Sequence, residues 1–275
     1  MRKFEEFGLL DAGFLAVVKY VSETLGYSRG GRVSTFSFDE IMTALQRNQL
    51  FIDELQLHKV KQYFDLRAGL LNNYVEPALM DATAAEIEYE NLLSQMDMEY
   101  SSKQPLNKQK GAMRQVAYFT AIINILAEKT IRESGKRIQG LGFNDDPRGL
   151  VYVLDSERRL IGSTSRRYDG AFPDIINPLI VWEIKEYYYA TTFGSRVADG
   201  VYETQLDGHE FWQIEASTGI HIEHVYFIDA YKTWWTQGKS YLCRIIDALN
   251  MGLVDEVIVG REVLSRWPQL LKRFL

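Results

Sequence analysis

The residues that could carry chemistry lie in one segment, 166–185, which reads RRYDGAFPDIINPLIVWEIK. Its second half is apolar until Glu183, and Lys185 follows two residues later. Residues two apart in an extended strand project from the same face, within about 7 Å of each other. Burying charges at the end of such an apolar strand is costly unless a ligand or a partner meets them. Glu183 and Lys185 are therefore candidates for a catalytic centre.

A second carboxylate could come from Asp169 or from Asp174. Asn177-Pro178 is a turn signal between two extended runs, and it predicts a β-hairpin. A turn centred there places Asp169 at the open end of the hairpin, opposite about residue 186, and Asp174 near the turn. A turn displaced by one residue would change the face on which each acid lies. We favour Asp169 as the partner of Glu183 and keep Asp174 as the alternative.

An Asp, a Glu and a Lys in this arrangement suit the hydrolysis of a phosphodiester bond. Asp169 and Glu183 supply the oxygen ligands that hold a hard cation such as Mg²⁺, for which Mn²⁺ can substitute. Such a cation activates a bound water and neutralises charge on the phosphate. Lys185 would orient or deprotonate that water and add positive charge near the reacting phosphorus.

The same residues resemble the motif of the PD-(D/E)xK nuclease superfamily, which has the restriction-endonuclease-like fold. Glu183-Ile184-Lys185 corresponds to its ExK element, and either Pro173-Asp174 or Tyr168-Asp169 corresponds to its PD element. The order of this superfamily's core, helix, three strands, helix and strand, matches the elements expected over 112–230. The resemblance covers about the C-terminal 160 residues and does not extend to the first hundred.

The elements that must position this segment fall into two parts. Apolar residues at three- and four-residue spacing predict helices through the first hundred residues, including one over 3–25 that ends at Gly26. Ser37 and Glu40 predict a capping box that begins another short helix. Beyond a helix over 111–134, which Gly135 ends, the apolar period changes to two, and strands then alternate with helices. The sequence thus predicts an α/β fold with a mixed sheet flanked by helices. We expect an N-terminal all-helical domain at 1–105 and a nuclease domain with a restriction-endonuclease-like core at 106–275.

Charge is distributed unevenly along the chain. The net charge is −6, yet residues 101–170 carry 13 Lys and Arg against 7 Asp and Glu. A local basic stripe is what phosphate binding requires, whatever the charge of the whole chain. The alternative is a solvated linker followed by exposed strand charges. The predicted DNA-binding residues are Lys108, Lys110, Arg114, Arg166 and Arg167.

The composition excludes several classes of protein. A single cysteine, Cys243, excludes an internal disulfide and a cysteine-rich zinc site. No window reaches the ~18 consecutive apolar residues that a membrane span needs. The sequence therefore predicts a cytoplasmic protein with no membrane partner.

The function that these observations predict is a Mg²⁺-dependent endonuclease that cleaves double-stranded DNA. The size and the absence of helicase motifs favour a type II restriction endonuclease, which the resemblance implies would act as a homodimer. Two alternatives stay open. One is an anti-phage effector nuclease with little sequence specificity, and the other is a catalytically silent DNA-binding or assembly protein on the same fold.

Overall fold

The computed structural model describes residues 1–95, 102, 104–107, 114–135, 142–189 and 194–275. Its N-terminal part is largely helical, and a π-helical turn, Leu71–Val75, joins the third helix to the fourth. The helices of this part are α1 (Ala12–Leu25), α2 (Phe38–Gln46), α3 (Glu54–Leu70), α4 (Glu76–Ala78) and α5 (Ala82–Ser94).

The first helix is shorter than expected. Asp11 accepts a hydrogen bond from the backbone N–H of Phe14 at 2.8 Å and begins α1, so the prediction of a helix from residue 3 is wrong. Gly26 ends α1 as predicted. The reciprocal bonds of Ser37 and Glu40 confirm the predicted capping box of α2.

The N-terminal part is not all-helical, and that expectation is corrected. Strands β1 (Ser28–Arg29) and β2 (Arg32–Val33) form an antiparallel pair. Gly30 and Gly31 connect them with φ angles of 57° and 79°. A two-residue hairpin turn with positive φ at both positions strongly favours glycine. The glycine-rich sequence of this loop therefore makes a small hairpin between α1 and α2.

The rest of the chain is a mixed α/β structure. Its elements are α6 (Tyr118–Glu133), β3 (Tyr152–Leu154), β4 (Leu160–Ser163), β5 (Gly170–Phe172), β6 (Ile180–Glu186), α7 (Ser195–Thr218), β7 (Glu223–Asp229), α8 (Lys239–Met251), β8 (Glu256–Val259) and α9 (Val263–Leu271). The central sheet has the order β5-β6-β7-β8, in which β5 is antiparallel to β6 and the other neighbours are parallel. Strands β3 and β4 form a separate two-stranded sheet.

Helices cover both faces of the central sheet, as predicted. Trp182 and Phe227 belong to a core that includes side chains of α5, α6 and α9. Tyr226 and Ile228, on the opposite face of β7, belong to a core that includes side chains of α7 and α8. Among the described residues, none of the helices is both long and apolar enough to cross a lipid bilayer.

The register of the β5–β6 pair differs from the expected one. Gly170 pairs with Trp182 and Phe172 with Ile180, so the pairing is shifted by three residues from a turn centred at 177–178. The cause is tertiary. The connecting loop pairs with β3, since the Tyr152 amide bonds to the Ile175 carbonyl at 2.9 Å and the Asn177 amide to the Tyr152 carbonyl at 2.8 Å. The loop is therefore wider than a tight hairpin turn.

Candidate active site

Strand β6 carries Glu183 and Lys185 on the face that α7 covers. The side chains of β6 alternate, so Ile180 and Trp182 enter the core beneath α6 and α9 while Glu183 and Lys185 project the other way. The Lys185 Nζ donates to Glu183 Oε2 at 3.0 Å, which confirms that the two side chains share a face. Glu183 is 3% exposed. An ion pair this deep in an apolar sheet needs further polar partners.

Asp169 immediately precedes β5 and lies beside Glu183 of β6. A Cβ atom on Gly170 would fall 2.1 Å from the Trp182 ring, so glycine allows the indole to lie across β5. The Asp169 amide donates to the Trp182 carbonyl at 3.1 Å, and Asp169 Oδ2 accepts from the Ile184 amide at 2.9 Å. Extending the observed register by one residue places Asp169 opposite Glu183. The expected register placed it opposite residue 186.

The electrostatics of Glu183 reflect this crowding. Burial raises the pKa of its carboxyl to about 7. The negative charge of Asp169 acts in the same direction, whereas the positive charges of Lys185 and Arg166 oppose the increase. Burial alone would lower the pKa of Lys185, but Glu183 and Tyr226 more than offset it and hold the value above its usual range.

Helix α7 supplies two acids that the sequence analysis did not single out, Glu203 and Asp207. Their spacing of four places both on the helix face that meets β6. Glu203 Oε2 accepts from Lys185 Nζ at 3.2 Å, and Asp207 is fully buried. Gly200 allows the close approach, since a Cβ there would lie 3.3 Å from Lys185 Cε. The repeat of acids at 199, 203 and 207 was a visible signal within the predicted helix.

Arg166 reaches into the space between these carboxylates. Its Nη1 lies 2.7 Å from Glu183 Oε1, its Nη2 3.6 Å from Glu203 Oε2 and its Nε 3.5 Å from Asp207 Oδ1. Burial lowers the pKa of Arg166, and the carboxylates of Glu183 and Asp207 offset this and raise it above the usual value. The predicted contact of Arg166 with DNA stays a prediction. In the structure its guanidinium lies in this acidic cluster, with 23% of the side chain exposed.

Asp207 stands out within the cluster. Among the described residues, neither of its carboxylate oxygens has a hydrogen-bond partner, although both are buried. Burial raises the pKa of Asp207 to about 7, in opposition to the nearby Arg166 and Lys185. A buried carboxylate without hydrogen bonds is costly, and a cation is its natural partner.

The donor set fits a hard divalent cation in its chemistry. Asp169, Glu183, Glu203 and Asp207 offer carboxylate oxygens, the ligands that Mg²⁺ prefers. As the side chains stand, no group of three or more His, Cys, Asp or Glu in the described ranges is arranged to hold a metal ion. The cationic groups of Arg166 and Lys185 lie among the carboxylates. The expected ligands Asp169 and Glu183 remain predictions.

The other predicted residues lie apart from this cluster. Asp174 is exposed in the loop after β5, where its Oδ1 accepts from Asn144 Nδ2 and from the Ile175 amide, both at 2.7 Å. Arg167 is exposed next to Arg166, and Arg114 is exposed ahead of α6. Lys108 and Lys110 lie outside the described residues.

Comparison with protein families gives two matches along the chain. A domain of unknown function, DUF7687, matches residues 80–274 and so includes the whole candidate site. A second domain of unknown function, DUF7690, matches residues 1–74. The division expected between residues 105 and 106 stays a prediction. No curated protein and no solved structure matches the chain.

Proposed function

The chain belongs to the DUF7687 family, and we propose that it is a metal-dependent endonuclease that hydrolyses phosphodiester bonds in double-stranded DNA. The observation that carries the proposal is the convergence of Asp169, Glu183 and Lys185 at one end of the β5–β6 pair. Two carboxylates and an amine on adjacent strands fit metal-assisted phosphodiester hydrolysis. The exposed end of this cluster is where a DNA strand would enter.

The order of elements supports the proposal. Helix α6, the antiparallel β5–β6 pair, the crossover helix α7 and the parallel strand β7 follow the order of the restriction-endonuclease-like core that the motif resembles. One feature departs from it, since β3 and β4 pair with each other in a separate sheet. The departure lies outside the strands that carry the candidate residues.

The position of each residue in the site indicates the role that it would have in hydrolysis. Asp169 and Glu183 would hold Mg²⁺, which supplies an activated water and charge neutralisation when bound. Lys185 donates to Glu183 and to Glu203 at 3.0 and 3.2 Å, so it is placed as an ammonium donor. In that state it orients the water or the phosphate and adds positive charge, and it does not accept the proton.

The basic middle of the chain would meet the phosphate backbone. The exposed side chains of Arg114 and Arg167 belong to the segment that carries a net charge of +6, together with Lys108 and Lys110. Contacts of this kind give affinity without sequence preference. Within this class we propose a homodimeric type II restriction endonuclease, with a non-specific anti-phage effector as the alternative.

The proposal is tested by incubating the purified chain with a supercoiled plasmid and with a long phage genome, in Mg²⁺, Mn²⁺ or EDTA. We expect cleavage that EDTA abolishes. Discrete genome fragments would support a restriction enzyme, and a smear would support the effector. Asp169→Ala should abolish cleavage while DNA binding in Ca²⁺ persists.

One observation favours a second candidate, the catalytically silent DNA-binding protein. The ion pairs of Arg166 with Glu183, Glu203 and Asp207 could serve as a permanent structural network. Such a protein would bind DNA equally well with and without divalent metal and would leave the plasmid supercoiled. The plasmid assay therefore separates the two candidates.

A further inference from the structure

The acidic cluster between β6 and α7 holds more carboxyl groups than cationic groups. Glu183, Glu203 and Asp207 face the two cations Arg166 and Lys185. Asp169, which also raises the pKa of Glu183, adds a fourth carboxylate beside them. Glu183 and Asp207 are buried, so water screens their charges poorly. The cluster therefore attracts a further cation, or a cation of higher charge in the place of Arg166.

The guanidinium of Arg166 satisfies this cluster incompletely. It makes a hydrogen bond with Glu183 at 2.7 Å, but its distances to Glu203 and Asp207 are 3.6 and 3.5 Å. Within the described part of the chain, nothing forms a hydrogen bond with either oxygen of the fully buried Asp207 side chain. A compact divalent ion brings carboxylate oxygens to much shorter distances than a planar guanidinium can. Asp207 is therefore positioned to bind a metal ion, and the guanidinium of Arg166 does not supply the same close contacts.

We propose that Glu183, Glu203 and Asp207 form a divalent-cation position that the guanidinium of Arg166 occupies until a metal ion displaces it. The inference deepens the proposed function, since it adds Glu203 and Asp207 to the site and makes Arg166 a competitor of the metal. In this arrangement Arg166 sets the metal concentration at which the site fills. The partly exposed side chain of Arg166 has solvent beside it into which it can withdraw.

Calorimetric titration of Mn²⁺ and Mg²⁺ into the full chain tests the proposal. Arg166→Met keeps much of the side chain's length and removes the charge, and it should bind Mn²⁺ at least about tenfold more tightly than the wild type. Arg167→Met is the matched control, because it removes one positive charge from the exposed neighbouring residue. Its affinity for Mn²⁺ should stay within about twofold of wild type. Equal or weaker binding by Arg166→Met would overturn the proposal.

The role of Asp207 is tested in the same titration. Asp207→Asn, made in the Arg166→Met background, should lose the gain in Mn²⁺ affinity, because a neutral amide is a weaker ligand than a carboxylate. Retention of the full gain would remove Asp207 from the site and overturn that part of the proposal. Absence of Mn²⁺ binding in the wild type and in Arg166→Met alike would overturn it entirely.

A wild-type measurement covers the case in which Arg166→Met does not fold. Heteronuclear NMR of the arginine Nε–H groups should show the signal of Arg166 shift when Mg²⁺ is added, whereas that of Arg167 stays in place. An unchanged Arg166 signal at a metal concentration that saturates the calorimetric binding would contradict displacement. These results are independent of cleavage. Tighter Mn²⁺ binding by Arg166→Met, together with no nicking of DNA by the wild type, would support the cation position and refute the nuclease.

Discussion

Replacing Asp247 by alanine removes a carboxylate that joins the N-terminal helices to the α/β part. Asp247 lies on α8 and accepts from Arg67 Nη1 at 3.0 Å and from the Tyr63 hydroxyl at 2.7 Å. Arg67 and Tyr63 lie on α3, and Arg67 also donates to Ser22 Oγ of α1 at 3.0 Å. Both members of the ion pair are buried, with 1% and 4% of their side chains exposed.

The expected loss of stability follows from what Asp247→Ala leaves behind. Arg67 keeps its charge inside the protein but loses the carboxylate that neutralises it, and Tyr63 loses its hydrogen bond. Removing one partner of a buried ion pair costs about 3–5 kcal/mol in the free energy of unfolding. At about 2–3 °C per kcal/mol for a chain of this size, Tm should fall by roughly 6–15 °C.

Thermal and urea denaturation followed by circular dichroism measure this loss. Asp65→Ala is the matched control, since Asp65 lies on α3 in an ion pair with Lys61 that is 45% exposed on the acid side. That variant should lose only about 0.3–0.5 kcal/mol. Removing both charges, in Arg67→Met with Asp247→Leu, should recover part of the stability. A loss below about 1 kcal/mol in Asp247→Ala would refute the reasoning.

Three further predictions concern pH, the choice of acid and the basic segment. Burial raises the pKa of Glu186 to about 7, so ionisation of this carboxyl lowers the stability of the wild type as the pH rises from about 4.5 through 7, and Glu186→Gln lacks that contribution. The variant's advantage in unfolding free energy should therefore grow by up to about 3 kcal/mol between about pH 5 and 8, and a constant difference in urea denaturation would contradict this. Asp174→Ala should keep most of the cleavage rate that Asp169→Ala loses, because Asp174 is exposed away from Glu183, and the opposite ranking would exchange their roles. Replacing Lys108 and Lys110 by alanine should lower the slope of log DNA affinity against log salt by about 0.9 for each phosphate that the variant no longer neutralises. An unchanged slope would support the alternative that these residues belong to a solvated linker.

Much of the fold was readable because local patterns agree with the final structure. Ser37 and Glu40 predicted the start of α2, and the apolar run that ends in Glu183 and Lys185 predicted β6. The alternation of strand side chains was enough to place those two charges on one face. These two patterns depend on neighbouring residues only, and here the prediction and the structure agree.

The rest depends on contacts between distant residues. The expected β5–β6 register was wrong because the loop between the strands pairs with Tyr152, which lies about twenty residues away in the sequence. The partners of Arg166 on α7, Glu203 and Asp207, lie about forty residues after it. Their helical spacing was visible in the sequence, but which face of α7 meets β6 depends on packing at Gly200.

The rate of Mg²⁺-dependent nicking of a supercoiled plasmid by two matched variants tests the proposed active site most directly. Glu183→Gln and Glu186→Gln each neutralise one carboxylate of β6 whose pKa burial raises to about 7. Glu183 faces Lys185 and Arg166, whereas Glu186 accepts from the Thr120 amide at the start of α6. We predict that Glu183→Gln loses roughly a thousandfold in rate and that Glu186→Gln stays near the wild type. Nicking by Glu183→Gln at the wild-type rate, or an equal loss in both variants, would contradict the account.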